Sequence, residues 1–406
     1  MLSLRRITSS GAYLPEVDGL RFVAIASVVW YHIALHAQTI SGSYSTHNFV
    51  SAFLMNMLMH GFQGVGVFFV ISGFILGLPF ARWYLCNAKP VNLRSYLLRR
   101  VTRLEPPYIA NLAMRLPLTP AAKHMTFGQV MPHFLASLVY LHVIIFGSQP
   151  IVHWGSWSLE IEVQFYLLAP LFALAIFRFR PVLRRVSLAL LLVGSGFVQN
   201  HLTAGNLRFE LSILNYGQFF LAGFLVADLY ATELPRWRES WLWDVVSIPL
   251  WILIFSVSIP AAHILIPPAA VILFIAAFKS KLTRAFLRLP VICTIGGMCY
   301  SIYLTHPLIM DICYVPLSRI RALRPFWADF WVGELVVSIA VLLGGAAFFV
   351  VIERPCMDKN WPQHLAAWVR KRNPFIRRDS SPIPSDPPDD GLSISPPVSG
   401  AGGATR

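Results

Sequence analysis

The sequence predicts an all-α integral membrane protein of about ten transmembrane helices, with an additional interfacial or re-entrant helix. Three observations carry this. Of 406 residues, 56% are hydrophobic and 13% charged, with mean hydropathy +0.60; a soluble domain carries about 25% charged residues. Apolar runs recur at the ~20 residues that a helix needs to cross a bilayer. Lys and Arg gather at the ends of those runs, the charge pattern of membrane topology.

In chain order the expected spans are 17–38, 60–80, 128–147, 157–177, 186–201, 212–231, 242–259, 262–279, 290–312 and 328–352. Segment 96–116 carries Arg99, Arg100, Arg103, Glu105 and the pair Pro106-Pro107. The charges and the prolines are expected to interrupt it, so it is placed as the interfacial or re-entrant helix. Residues 1–16 form a cytoplasmic N-terminal segment, 17–355 the membrane domain, 356–378 a basic cytoplasmic segment, and 379–406 a disordered tail rich in Pro, Ser and Gly.

Orientation follows the basic residues. Arg5 and Arg6, the cluster from Arg82 to Arg103, Arg178 to Arg185, Lys279 to Arg288 and Arg370 to Arg378 fall on one side if there are ten spans and both termini are cytoplasmic. The connections around 39–59 and 148–156 have no Lys or Arg. Arg319, Arg321 and Arg324 break the pattern. The net charge of +14 is thus a topology signal, and nucleic acid is not an expected partner. Cys86, Cys293, Cys299, Cys313 and Cys356 form no CxxC, which argues for packing residues rather than a metal site or a disulfide framework. No cleavable signal is expected, because the first apolar run is long enough to span.

Arg21 and His32 are the first candidates for chemistry. Eleven helical steps are about three turns, so the two share one face, separated by about 16 Å of rise. A cation and an imidazole on one stripe of a membrane helix point to function by default. Asp18, one turn before Arg21, pairs with it or caps the helix. Arg100 and Arg103 are three apart and neighbours on a face. With Arg21 at the same surface they suit a phosphate-bearing ligand, although topology alone also explains them. His32 is a general base, an acyl-accepting nucleophile or a hydrogen-bonded core histidine.

Trp157-Ser158-Leu159-Glu160-Ile161-Glu162 opens the fourth expected span. Glu162 and Tyr166 share a face, and a carboxylate one turn into a membrane helix needs a cavity or a partner. Glu160 fits a helix-start carboxylate. Ser72 and Gly73 lie in a glycine-rich stretch, Gly64 to Gly77, that reads first as close helix packing. His306 precedes Pro307 near the end of the ninth span, where structural and catalytic roles are both open.

Taken together, these motifs resemble the acyltransferase-3 family of integral-membrane acyltransferases, which acylate bacterial surface glycans. The resemblance runs from about Tyr13 to Pro355. It rests on Asp18-Gly19-Leu20-Arg21 with His32, Phe69 to Phe74, Arg100 with Arg103, Trp157-Ser158-Leu159 with Glu162 and Gln164-Phe165-Tyr166, Tyr300 to Pro307, and Glu353-Arg354-Pro355. It implies a bacterial inner-membrane enzyme with an acyl-CoA donor, usually acetyl-CoA, as co-substrate, and no bound cofactor or metal. It implies essential roles for Arg21 and His32 and donor binding by Arg100 and Arg103. Members commonly have a small residue where Glu160 stands and an acid where Val163 stands, so neither position inherits a role.

The expected reaction carries an acyl group to a hydroxyl of a glycan or glycolipid, with His32 as general base and His306 also catalytic. Glu162 is expected to act from the outer side, orienting His32 or the acceptor. Asp18, Ser72, Gly73 and Tyr166 support the pocket. The connections 39–59, 201–211 and 313–327 are expected to choose the acceptor. Acylation of a lipid or small metabolite is one alternative. A transporter or flippase of glycan precursors is another, disfavoured by the lack of matched internal repeats.

Overall fold

The computed structural model describes residues 13–41, 49–202, 205–258, 261–320 and 326–358, with residues 4, 361 and 363. The chain divides into two units, 1–359 and 360–406; all that follows concerns the first. Among the described residues every regular element is helical. In order these are α1 (Pro15–Ser41), α2 (Phe49–Met59), α3 (Gly64–Cys86), α4 (Leu93–Arg115), α5 (Thr119–Lys123), α6 (Phe127–Leu138), α7 (His142–Phe146), α8 (Trp157–Phe177) and α9 (Pro181–Leu202). They continue with α10 (Leu207–Glu210), α11 (Ile213–Thr232), α12 (Leu242–Ile254), α13 (Ala261–Lys279), α14 (Leu282–Leu287), α15 (Pro290–Gly297), α16 (Cys299–Ile320), α17 (Phe326–Phe348) and α18 (Arg354–Cys356).

Seven described helical segments are long and apolar enough to cross a membrane, or eight if the pair α15–α16, bent by 68°, counts as one span. The protein is therefore a multi-pass, all-helical membrane protein, while the expected count of ten is not reached on this criterion. Run 128–147 is not one helix. It splits into α6 and the five-residue α7 around Tyr140, whose φ is +56°; a non-glycine residue in the left-handed region ends a helix rather than continuing it. Run 242–259 yields the 13-residue α12, which ends at Ile254. Part of the expected connection 39–59 is helical, and Phe49–Cys86 forms one apolar stretch.

The interruption expected within segment 96–116 is not seen. Pro106 and Pro107 lie inside the continuous 23-residue α4. The prolines remove two backbone donors, but packing holds the helix. Tyr108, Asn111, Leu112 and Arg115 are buried. Asn111 Nδ2 donates to Leu304 O at 2.9 Å, and Arg115 Nε donates to Val152 O at 2.8 Å. Of the residues that break the charge pattern, the side chain of Arg319 and all of Arg321 and Arg324 lie outside the described residues.

The bundle is apolar on its outer surface, as a lipid solvent favours, and its largely apolar core encloses paired polar groups. Leu183, Leu190, Leu191 and Phe197 of α9 and Leu335 and Leu343 of α17 are exposed. Inside, Arg184 holds Asp228 through Nε–Oδ2 at 2.5 Å and Nη2–Oδ1 at 3.1 Å. Gln199 and Gln218 each donate an amide hydrogen to the other at 2.7 Å.

Helices α3 and α11 meet backbone to backbone. A Cβ on Gly73 would lie 2.2 Å from Phe220 O, and one on Gly223 would lie 2.3 Å from Val70 O. Small residues let membrane helices approach this closely, so Gly73 is a packing residue. This contact fixes α3 as the inner wall on which the site is built. Helix α1 packs against α3, α15, α16 and α17, so Arg21 and His32 stand in the middle of the bundle.

Candidate active site

Two cavities lie end to end along α1. The inner one, about 130 Å³, is lined by Arg21, Arg100, Arg103, Ser72, Glu162 and Tyr166 among others. The outer one, about 500 Å³, is lined by His32, His306, Trp154, Trp157, Gln63 and His263 among others. Val28, Val65, Ser158 and Tyr303 line both. The partition is therefore one layer of side chains, and Ser158 Oγ and Tyr303 Oη are hydrogen-bonded across it at 2.9 Å. The Tyr303 hydroxyl also donates to Gly155 O.

The inner cavity is cationic. Arg21 donates to Asp18, so Asp18 orients the guanidinium on the same helix turn. Arg103 Nη2 stands 3.8 Å from Glu353 Oε1, while its buried Nε has no hydrogen-bond partner. A buried, unsatisfied guanidinium N–H is costly to leave without an acceptor, which fits a site for an anionic ligand. Arg100 lies over the Tyr96 ring at 5.9 Å.

Glu162 departs from expectation. It lines the inner cavity, not the outer one that holds His32 and His306. Ser72 Oγ donates to Glu162 Oε1 at 2.7 Å, and Tyr166 Oη donates to the same oxygen at 2.5 Å. Ser72 and Tyr166 are thus supports for Glu162. The carboxylate shares this cavity with Arg21, Arg100 and Arg103.

The outer cavity brings two imidazoles together. His32 of α1 and His306 of α16 have ring centroids 5.3 Å apart in a stacked arrangement, and Trp154 closes over His32 at 4.5 Å. His306 Nδ1 donates to Tyr303 O at 2.8 Å and lies 3.2 Å from Ile302 O. Carbonyl oxygens only accept, so Nδ1 carries the hydrogen and Nε2 carries the lone pair. That Nε2 is buried with no partner. The 68° bend between α15 and α16 starts α16 at Cys299 and sets the His306 turn into the cavity wall.

The distant motifs meet here. Glu353, fully buried, accepts from Ser301 N at 3.0 Å and Ser301 Oγ at 2.5 Å, and it faces Arg103. Tyr300 Oη donates to Leu104 O at 2.8 Å. The Glu353-Arg354-Pro355 motif thus ties the Tyr300–Pro307 motif to the Arg100/Arg103 pair. Glu160 has a different task. Its Oε2 accepts from Val143 N at 3.0 Å, fastening α8 to α7. Gln63, Trp154 and His263 escaped the sequence reading: Gln63 and Trp154 stand just before the glycine-rich and Trp157-Ser158-Leu159 motifs without belonging to them, and His263 stands alone in an apolar run.

Residues 14–353 match the family model of the Acyltransferase domain, acyltransferase-3 type. O-acetyltransferase OatA of Staphylococcus aureus strain MRSA252 is 28% identical over 399 residues, covering 91% of this chain and 61% of that protein. OatA of strain NCTC 8325 / PS 47 is 28% identical over 327 residues, covering 73% of this chain and 50% of that protein. The chain therefore spans about half to three fifths of the length of these relatives. No solved structure matches. With the family model matching from the start of α1 to Glu353, the chain belongs to the acyltransferase-3 family.

Proposed function

We propose that this protein is a membrane O-acyltransferase that moves an acyl group, acetyl by analogy with the named relatives, from cytoplasmic acyl-CoA to a hydroxyl of a cell-surface or exported glycan. The observation that carries this is the segregation of charge between two adjoining cavities. The inner one holds three arginines and suits the phosphates of CoA. The outer one has four histidines, His32, His36, His263 and His306, and, among the described residues, no Lys or Arg in its lining.

In this reading the donor's phosphates bind Arg21, Arg100 and Arg103, and Glu162 positions those guanidiniums. The pantetheine arm carries the thioester about 16 Å up α1, to the depth of His32. The acceptor hydroxyl enters from the outer cavity. His32 takes its proton as the oxygen attacks the thioester carbonyl. The C–O bond forms, the C–S bond breaks, and the thiolate leaves with the proton that His32 took up. His306 shares the cavity, and its Nε2 is the second lone pair within reach of that proton.

The proposed setting is a bacterial inner membrane, with the arginine end facing the cytoplasm together with both termini. Helix α4 runs from the inner cavity to the outer one. It starts beside the inner cavity at Arg100 and Arg103 and ends with Arg115 3.9 Å from Asp311, which lines the outer cavity.

The test is donor binding. Purified protein should bind acetyl-CoA, and Arg100→Ala and Arg103→Ala should each weaken that binding while leaving binding of S-acetylpantetheine, which lacks the phosphates, unchanged. Equal loss for both donors would show that the arginines serve folding and not phosphate recognition.

A further inference from the structure

The outer cavity has a second set of polar groups that the proposed reaction does not use. Gln63, in the turn before α3, and His263, on α13, both line the cavity and are at least nine-tenths buried. Gln63 Nε2 and His263 Nδ1 have no hydrogen-bond partner. Two unsatisfied polar atoms in one cavity are costly to a folded protein unless a ligand or water meets them.

Around them stand aromatic rings. Trp157 lies 5.4 Å from Tyr216, Tyr216 lies 6.4 Å from His263, and Tyr31 lies 5.5 Å edge-on to Phe62. Aromatic walls with a few placed polar groups are the make-up of a small-molecule site, and 500 Å³ falls within the ordinary range of about 300–1,000 Å³. Asp311 is the one carboxylate in the lining among the described residues, and it has Arg115 beside it. The cavity therefore suits neither a phosphate nor a strong cation. It suits a neutral ring with C–H faces and a rim of hydroxyls.

Resting on the reading of the chain as a glycan acyltransferase, we infer that Gln63 and His263 form the hydroxyl-reading wall of an acceptor subsite for a neutral sugar ring. The aromatic rings, Trp157 and Tyr216 foremost, hold the ring faces. Gln63 Nε2 donates to one hydroxyl, and the free His263 nitrogen pairs with another. The ring is thereby turned so that a third hydroxyl points at His32 and His306. Acceptor choice then resides in the bundle, at the turn before α3 and on α13, rather than in the connections 39–59, 201–211 and 313–327.

Equilibrium binding tests this without the reaction. Full-length protein in detergent micelles is titrated with tritiated methyl β-cellobioside, a neutral disaccharide glycoside, and separately with acetyl-CoA. Wild type should bind the glycoside. Gln63→Leu and His263→Leu should each weaken it about three- to tenfold, the worth of one hydrogen bond, with acetyl-CoA binding unchanged. Absence of glycoside binding to wild type at millimolar concentration, or equal binding by wild type and both variants, overturns the inference. If a leucine variant loses acetyl-CoA binding as well, the alanine variant at that position is judged by the same criterion. Glycoside binding that depends on Gln63 and His263 in a protein that never consumes acetyl-CoA would leave the subsite standing and remove the donor reading instead.

Discussion

His32 and His306 stand with ring centroids 5.3 Å apart, one on α1 and the other on α16, beneath the indole of Trp154. Neither residue's neighbours in sequence reveal this meeting. It places two proton acceptors at the head of the cationic cavity, where a thioester would arrive.

The pair sets the first prediction. His32→Ala should lower the transfer rate about 10²- to 10⁴-fold, the usual worth of a general base, with acetyl-CoA binding unchanged. His306→Ala should lower it too. If the rings act as a unit, the double variant will be no slower than the slower single variant, as expected for groups serving one step. Multiplying effects in rate measurements would mean independent roles.

The inner cavity sets the second. Arg21→Ala should raise the acetyl-CoA concentration needed for half-maximal rate roughly ten- to hundredfold, from the loss of charge-assisted hydrogen bonds worth about 1.5–3 kcal/mol. Arg21→Lys should recover only part, since a lysine keeps the charge but not the planar fork. Kinetics with acetyl-CoA and S-acetylpantetheine side by side separate this effect from general damage, because the second donor should be nearly insensitive.

The third concerns Glu353. It is buried, accepts two hydrogen bonds from Ser301 and faces Arg103. Glu353→Ala leaves the Ser301 N–H and the Arg103 charge short of a partner, so it should destabilise the protein by about 1–3 kcal/mol. Glu353→Gln should cost less, because an amide oxygen still accepts from Ser301. Thermal unfolding in detergent reads the difference, and equal midpoints for wild type and Glu353→Ala would refute the link between the motifs.

The fourth is a packing prediction. Gly73→Ala places a methyl group 2.2 Å from Phe220 O. Backbone atoms cannot swing aside as a side chain can, so α3 and α11 must separate, at a cost of about 1–3 kcal/mol. A lower unfolding temperature is expected, and Gly128→Ala, where a Cβ meets nothing within 4 Å, is the matched control.

The fifth uses pH. His142, on the five-residue α7 outside the spanning segments, is held down to about 4 from 6.5, chiefly by burial and secondly by His133. His133 Nδ1 lies 2.9 Å from His142 Nε2. A histidine depressed in the folded state takes up protons more readily when unfolded. Stability from this group is therefore full above about 6.5 and falls as pH drops towards about 4. Unfolding midpoints should fall over that window in wild type, and His142→Gln should flatten the slope. An unchanged slope would assign the acid sensitivity elsewhere.

The fold was legible where hydrophobicity is continuous. Expected span 157–177 coincides with α8, and 262–279 matches α13 within one residue. It was illegible where tertiary contacts decide. Nothing local in 128–147 announces a left-handed Tyr140, and nothing local in 96–116 shows that Asn111 and Arg115 find carbonyl partners that hold α4 through two prolines. The site divides in the same way. Arg21 and His32 were readable because one helix fixes their separation. The place of Glu162 beside the arginines was not readable, because its partner Ser72 comes from α3. Gln63 and His263 could not be found, since a lone polar residue in an apolar run carries no sign of what it faces.

The most direct test of the central claim is acyl transfer from radiolabelled acetyl-CoA into the membrane and surface-glycan fractions of cells expressing this protein, beside His32→Ala at equal expression. The account predicts label in the glycan fraction with wild type and its loss with His32→Ala. Label that persists in His32→Ala would contradict the role of His32 at the meeting point of the two cavities, and label confined to lipid would contradict the glycan acceptor.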